Sequence, residues 1–340
     1  MDPKTAVSLA EIYKPIAEDI KRVDGRLRGI VEEALDPFPR EFGAFRSMGK
    51  RLRPAITLLV NHACRAARAE TPQDVIEQAA AIELMHIATL IHDDVVDGAY
   101  QRRGHQTLHE LFTDKTAVLV GDYLYATAID IFNRFGSHHT VQVVTRTTVG
   151  MAHGELMQVL MSPETRSRRE IYMEIISKKT ADFFAACAEV GAEAARVPVE
   201  RRQVFRKFGW QFGVAFQMID DILDYTASEN HLGKPVFQDL AEGKMTLPAI
   251  LLMESGAAPD IGDLAAHHNL SPQARATLTD HLNQNDIIPR SLREADTFLA
   301  EARDLLTAQR DPESGPAIAS LQAICDFVLQ QEGLPKPCLT

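Results

Sequence analysis

Residues 74–94 read DVIEQAAAIELMHIATLIHDD. The run covers several helical turns and carries Ala, Ile, Leu or Met on nearly every face. A helix that is apolar all round belongs inside a bundle, not on its surface. A second run of this kind, GWQFGVAFQMIDDILD, occupies residues 209–224. Strict alternation of apolar and polar residues, the mark of a half-buried strand, is missing along the chain. The pattern predicts helices over 7–35, 53–69, 73–97, 107–112, 115–135, 139–161, 168–192, 199–226, 245–255, 271–284, 290–309 and 314–331. Segment 227–243 is the least regular and reads as a functional loop. The expectation is one all-α domain spanning 1–340, with its core over about 20–331.

The bulk composition narrows the function. The chain has 340 residues and is 45% hydrophobic, enough for a sizeable core. Lys+Arg is 36 against 47 for Asp+Glu, a net charge of −11. That balance argues against nucleic acid as a partner, because phosphate contacts need an excess of basic residues. It leaves room for a phosphorylated ligand held by local basic residues or by bridging metal ions. Cys64, Cys187, Cys325 and Cys338 show no CxxC spacing, so they read as reduced thiols of a cytoplasmic protein. The first twenty residues carry no signal-peptide pattern. No apolar run reaches the ~18 residues of a membrane span, so no integral membrane segment is expected.

The apolar helices end in matching acidic clusters. Residues 93–97 are DDVVD and residues 220–224 are DDILD. Asp93 and Asp97 lie one helical turn apart, as do Asp220 and Asp224, with Gln217 a turn before Asp221. Like charges at that spacing destabilise a helix unless a cation neutralises them. Oxygen ligands without His or Cys suit a hard cation such as Mg²⁺, which keeps substrate phosphates and waters in its shell. A single cluster reads most simply as a solvated face. Two copies on two apolar helices do not.

Basic residues accompany the clusters. SMGKRLRP supplies Lys50, Arg51 and Arg53 ahead of a helix, an anion-binding arrangement. QRRG supplies Arg102 and Arg103, SKKT supplies Lys179 and Thr180, and the irregular loop supplies Lys234 and Lys244. His86 lies two turns before Asp93 on about the same helix face. Alone it would read as a core histidine; beside an anion it is a plausible donor.

Taken together and in order, GKRLRP, HDDVVD, RRG, KT, QMIDDILD and GKP…DL…GK.TLP resemble the trans-isoprenyl diphosphate synthases, or polyprenyl synthetases, over about residues 45–255. The resemblance implies an isoprenoid-synthase-type helical bundle around a central cavity, acting as a homodimer. It implies a medium- or long-chain, bacterial-type prenyltransferase that joins isopentenyl diphosphate head to tail to an allylic diphosphate. It implies about three Mg²⁺ ions, with Mn²⁺ able to substitute. By that resemblance Asp93, Asp97 and Asp220 bind metal, with Asp94, Asp221 and Asp224 in support. Arg102, Lys179, Lys234 and Lys244 hold the allylic diphosphate, while Lys50, Arg53, His86 and Arg103 hold isopentenyl diphosphate. Thr180 and Gln217 fall near the reacting carbons. The chain departs from the family pattern at Phe237 and Gln238, where a small residue and a Lys are common, and at Met48.

Product length is read from the residues before Asp93. Thr89 and Ala88, at −4 and −5, are small where short-chain members carry aromatic rings, and Met85 stands at −8. These three are the expected chain-length residues, and an octaprenyl-like product of C20 or longer is the expectation. The alternatives are a farnesyl- or geranylgeranyl-length synthase, a class I terpene cyclase, and a non-catalytic subunit of a heteromeric synthase. The second DDxxD and GKRLRP argue against the last two.

Overall fold

The run at 74–94 forms the middle of one long helix, and other helices pack around it. The computed structural model describes residues 8–35, 49–65, 70–102, 104–226, 236–258, 261, 270–310, 314–331 and 333–334. The helices are α1 (Leu9–Ile12), α2 (Ala17–Leu35), α3 (Leu52–Cys64), α4 (Gln73–Val96), α5 (Leu108–Leu111), α6 (Asp114–Phe135), α7 (His138–Leu160) and α8 (Pro163–Arg166). They continue with α9 (Arg169–Ile176), α10 (Asp182–Ala194), α11 (Val199–Thr226), α12 (Gln238–Ala241), α13 (Leu247–Glu254), α14 (Pro272–Gln284), α15 (Ile287–Thr307) and α16 (Gly315–Leu329). A two-residue hairpin, Gln101–Arg102 paired with His105–Gln106, is the only sheet among the described residues. The all-α expectation therefore holds.

The inner helices are those the sequence marked. Helix α4 buries Val75 to Met85 without a break, including Glu77, Gln78 and Glu83, and packs on α3 and α6. Helix α11 packs on α10 and α15 and buries Phe205, Phe208 and Phe212. Phe184 meets Phe212 edge-on at 5.0 Å between ring centres. Close backbone approach needs glycine here: a Cβ on Gly213 would sit 2.6 Å from Ala181 Cα.

Some boundaries differ from the pattern for identifiable reasons. The expected helix over 7–35 breaks at Pro15, inside a short 3₁₀ turn at Lys14–Ile16, because proline lacks the N–H a continuous helix needs. Helix α15 starts at Ile287, earlier than expected, since Pro289 fits a first helical turn. The expected helix over 168–192 is interrupted by a π turn at Ser177–Ala181. Such widened turns recur at functional sites. This one contains Lys179 and Thr180.

Candidate active site

One cavity of about 850 Å³ opens among α3, α4, α7, α10 and α11. Asp93 and Asp97 enter it from the end of α4, and Asp220 and Asp221 from α11. Asp97 caps α4, its N–H bonded to the Asp93 carbonyl at 2.8 Å, and is exposed. Asp220 is exposed and Asp93 half-buried. Burial, with the nearby Glu155 and Asp97 carboxylates, pushes Asp93 up to about 6 against the pull of Lys179 and Arg102. The charge penalty the sequence pattern implied is thus present in the fold.

The two twin clusters are not used alike. Asp221 is buried, accepts hydrogen bonds from the Tyr172 hydroxyl (2.7 Å) and Gln217 Nε2 (2.9 Å), and is pushed up to about 8 by burial and by Asp239. Asp224 does not reach the cavity. It is 3% exposed, and its carboxylate accepts the N–H groups of Gln238 (3.2 Å) and Asp239 (3.1 Å). Its place is under the first turn of α12, so its expected part beside the metal is corrected to one of positioning. Asp94 is likewise buried and accepts from Arg102 Nε at 2.7 Å.

The cationic side chains form two groups. Arg53 donates to His86 Nε2 at 3.0 Å, and its guanidinium lies 4.6 Å from the Phe184 ring centre and 5.2 Å from that of Phe183. Since Arg can only donate, His86 carries its proton on Nδ1 in this pair. Lys50 lies beside them, bonded to Gln331 at 3.0 Å and set over the Phe327 ring. On the other side of Asp93, Lys179 contacts Glu155 and donates to Gln158 at 3.0 Å. Lys244 bridges Asp97 (3.0 Å) and Glu242 (2.8 Å), and those carboxylates raise its pKa although burial works against them. Arg102 completes that rim. Thr180 donates to Gln217 Oε1 at 2.7 Å, so both oxygens sit at the cavity wall. Arg103 and Lys234 lie outside the described residues.

Of the chain-length residues, only Thr89 lines the cavity. Met85 and Ala88 are fully buried and do not reach it. Ala88 lies one turn before His92, whose ring packs so closely on α6 that a Cβ on Gly121 would come within 2.2 Å of it. The face of α4 carrying Ala88 is therefore packed against α6. Sequence reasoning missed Glu155, Gln158, Arg166, Tyr172 and Asp239, which also line the cavity. Only the register of α7 with the π turn would have revealed the first two.

The departures at 237 and 238 have a structural form. Phe237 adopts the left-handed conformation (φ 61°), which explains why a small residue suits that place. Here its ring is buried edge-on against Tyr225 at 5.2 Å.

Among the described residues no three His, Cys, Asp or Glu side chains converge into a ready-made metal cage. Carboxylates facing one another across a cavity with a cationic rim suit a hard cation completed by substrate phosphate. No helix among the described residues is long and apolar enough to cross a membrane.

The chain is similar to known proteins in sequence and in fold. The family described as polyprenyl synthetase matches residues 43–281. An all-trans-nonaprenyl-diphosphate synthase (geranyl-diphosphate specific) of Rhodobacter capsulatus is 37% identical over 246 residues, 72% of this chain and 74% of that one. Heptaprenyl diphosphate synthase component 2 of Geobacillus stearothermophilus is 30% identical over 311 residues, covering 88% and 92%. The crystal structure of a polyprenyl synthase from Caulobacter crescentus CB15, complexed with calcium and isoprenyl diphosphate, superposes with a TM-score of 0.86 at 28% identity, covering 97% and 100%.

Proposed function

The chain belongs to the polyprenyl synthetase family, and from that membership we propose that it condenses isopentenyl diphosphate with an allylic diphosphate. It is a trans-prenyltransferase, and its product is an all-trans polyprenyl diphosphate of C20 or longer. The observation that carries the residue-level reading is the opposition of Asp93 and Asp97 to Asp220 and Asp221 across one cavity with a cationic rim.

Asp93, Asp97 and Asp220 hold about three Mg²⁺ ions, with Asp221 behind Asp220; Mn²⁺ can replace them. Metal held by these carboxylates would supply the positive charge that a departing allylic diphosphate needs. Lys179, Lys244 and Arg102 add positive charge on the same rim, in a site where it acts through low dielectric. Lys50, Arg53 and His86 hold the second diphosphate. The Arg53–His86 bond and the Phe rings beneath Arg53 fix that corner before substrate arrives, which is the preorganisation electrostatic catalysis needs. Thr180 and Gln217 present oxygens where cationic carbon develops, and Ile176, Phe183 and Phe216 exclude water from it. Asp224 and Asp94 position Asp239 and Arg102.

A homodimer is part of this reading. Helices α6 and α7 expose Leu119, Tyr123, Val149, Leu156, Val159 and Leu160, an apolar face of the kind that marks an interface. So is a cytoplasmic setting, supported by the free thiols Cys64, Cys187 and Cys325. The test is product analysis with Mg²⁺, labelled isopentenyl diphosphate and separate C5, C10, C15 and C20 primers. The expected result is a ladder reaching C20 or beyond. No condensation with any primer would refute the proposal.

A further inference from the structure

Of the residues expected to set product length, Met85 and Ala88 do not face the cavity, so its end must be built by other side chains as well. Helix α6 runs antiparallel to α4. Gln78 Nε2 reaches the Phe135 carbonyl at 3.0 Å at one end, and His92 Nε2 the Val118 carbonyl at 3.2 Å at the other. That register places Tyr125, one turn beyond Gly121, opposite the turn of α4 that holds Ala88 and Thr89. Among the described residues Tyr125 is the only side chain of α6 in the cavity wall.

Its hydroxyl donates to Thr148 Oγ1 of α7 at 2.9 Å, and Thr148 in turn donates to the Val144 carbonyl at 2.9 Å. The pair spans the gap between two helices and satisfies both hydroxyls. Below it, the cavity stops on all three helices together. Ala128 on α6, Val144 on α7, and Met85 and Ala88 on α4 are each at most 2% exposed and do not line it. Above it, Thr148, Met151, Glu155 and Gln158 mark a wall along α7 leading to Lys179. From Gln158 to Thr148 that wall is about 15 Å long at the α-helical rise.

We infer that the Tyr125–Thr148 strut is the floor on which the growing prenyl chain ends, and so the element that sets product length. On α4 the small Thr89 lines the cavity, and the Tyr125 ring lines it from α6. A chain that meets the strut gains no further apolar burial from another unit, and elongation gives way to release. The inference rests on the condensation proposed above.

The experiment compares product ladders from wild type, Tyr125→Ala and Tyr125→Leu, using labelled isopentenyl diphosphate, Mg²⁺ and a C10 or C15 primer. Both variants should shift the longest major product upward by at least one C5 unit. Leucine keeps apolar packing on α7 and is read in the same way where the alanine variant is insoluble. A variant that condenses but stops at the wild-type length overturns the floor and leaves the enzyme class standing. A wild-type protein that condenses nothing overturns the class and the floor together.

Discussion

Replacing Arg51 with Ala tests how the isopentenyl corner is held. Arg51 lies between Lys50 and Arg53 and adopts the left-handed conformation at φ 52°, uncommon for a residue with a side chain. Its Nη1 bonds Glu83 of α4 at 2.7 Å and its Nε bonds Asp24 of α2 at 2.9 Å. Burial opposes its charge, but Glu83 and Asp24 outweigh that and raise its pKa. The Arg51 and Glu83 side chains are 11% and 4% exposed. Removing one partner of such a pair leaves a buried charge and costs about 3–5 kcal/mol. For a chain of this size that lowers the melting temperature by on the order of 5–10 °C. Glu83 stands one turn before His86, so the same ion pair sets the turn carrying Lys50 and Arg53 against His86. One charge-assisted contact weakened by its loss, worth about 1.5–3 kcal/mol, raises the KM for isopentenyl diphosphate by roughly ten- to a hundredfold. The KM for the allylic primer should move far less. Thermal unfolding and steady-state kinetics with each substrate varied in turn check both effects. The double variant R51A/E83Q should be more stable than R51A, because it no longer buries a lone carboxylate. An R51A protein with unchanged melting temperature and unchanged KM would refute the reasoning.

Asp93→Ala and Asp220→Ala should each lower kcat by about 10²–10³ or more, while circular dichroism stays that of wild type. A variant keeping most of its turnover would remove that residue from the metal site. Asp224→Ala should destabilise by about 1–3 kcal/mol through the two orphaned N–H groups of α12, and should weaken activity through Asp239; urea midpoints and initial rates report both. Ala88→Phe should cost about 1–3 kcal/mol by overpacking the α4–α6 contact. An unchanged midpoint would instead place position 88 in open space. Asp19 is held below the usual carboxylate range: burial works to raise it, and hydrogen bonds from His62 and Thr71 with the charge of Arg22 outweigh burial. Its stabilisation is complete above the ordinary value of 3.8 and is lost as pH falls through its lowered folded value. Wild-type urea midpoints should therefore drop more steeply than those of Asp19→Asn below about pH 4. Equal slopes would show that the network contributes nothing.

The helices were legible because their signal is local. Apolar periodicity over α4 and α11 depends on neighbours three and four residues away, and Val199–Thr226 matches the expected helix end for end. The π turn was not legible. Nothing in SKKTA forbids an α-helix, and the widening is visible only in the packed fold, where Gly213 lets α11 approach Ala181. That Met85 and Ala88 lie off the cavity was not legible for a related reason. The size of Ala88 is written in the sequence, but what fills the space beside it depends on the register of α6 against α4.

The twin clusters make the same point within the site. As sequences, DDVVD and DDILD are nearly interchangeable, and only the family resemblance separated Asp93, Asp97 and Asp220 from the supporting carboxylates. In the fold each divides its carboxylates between two tasks. Asp93, Asp97 and Asp220 face the cavity, while Asp94 turns inward to hold Arg102 and Asp224 turns inward to hold the start of α12. The inward carboxylates are the more buried, and each accepts the hydrogen bonds that make such burial tolerable. The Asp-Asp-x-x-Asp spacing thus does more than assemble charge for a cation. It places on one helix end both the groups that meet the ligand and a group that fixes a neighbouring segment carrying further charge. A change that leaves the cavity-facing oxygens in place but removes an inward one should therefore loosen the opposing wall of the site rather than empty it.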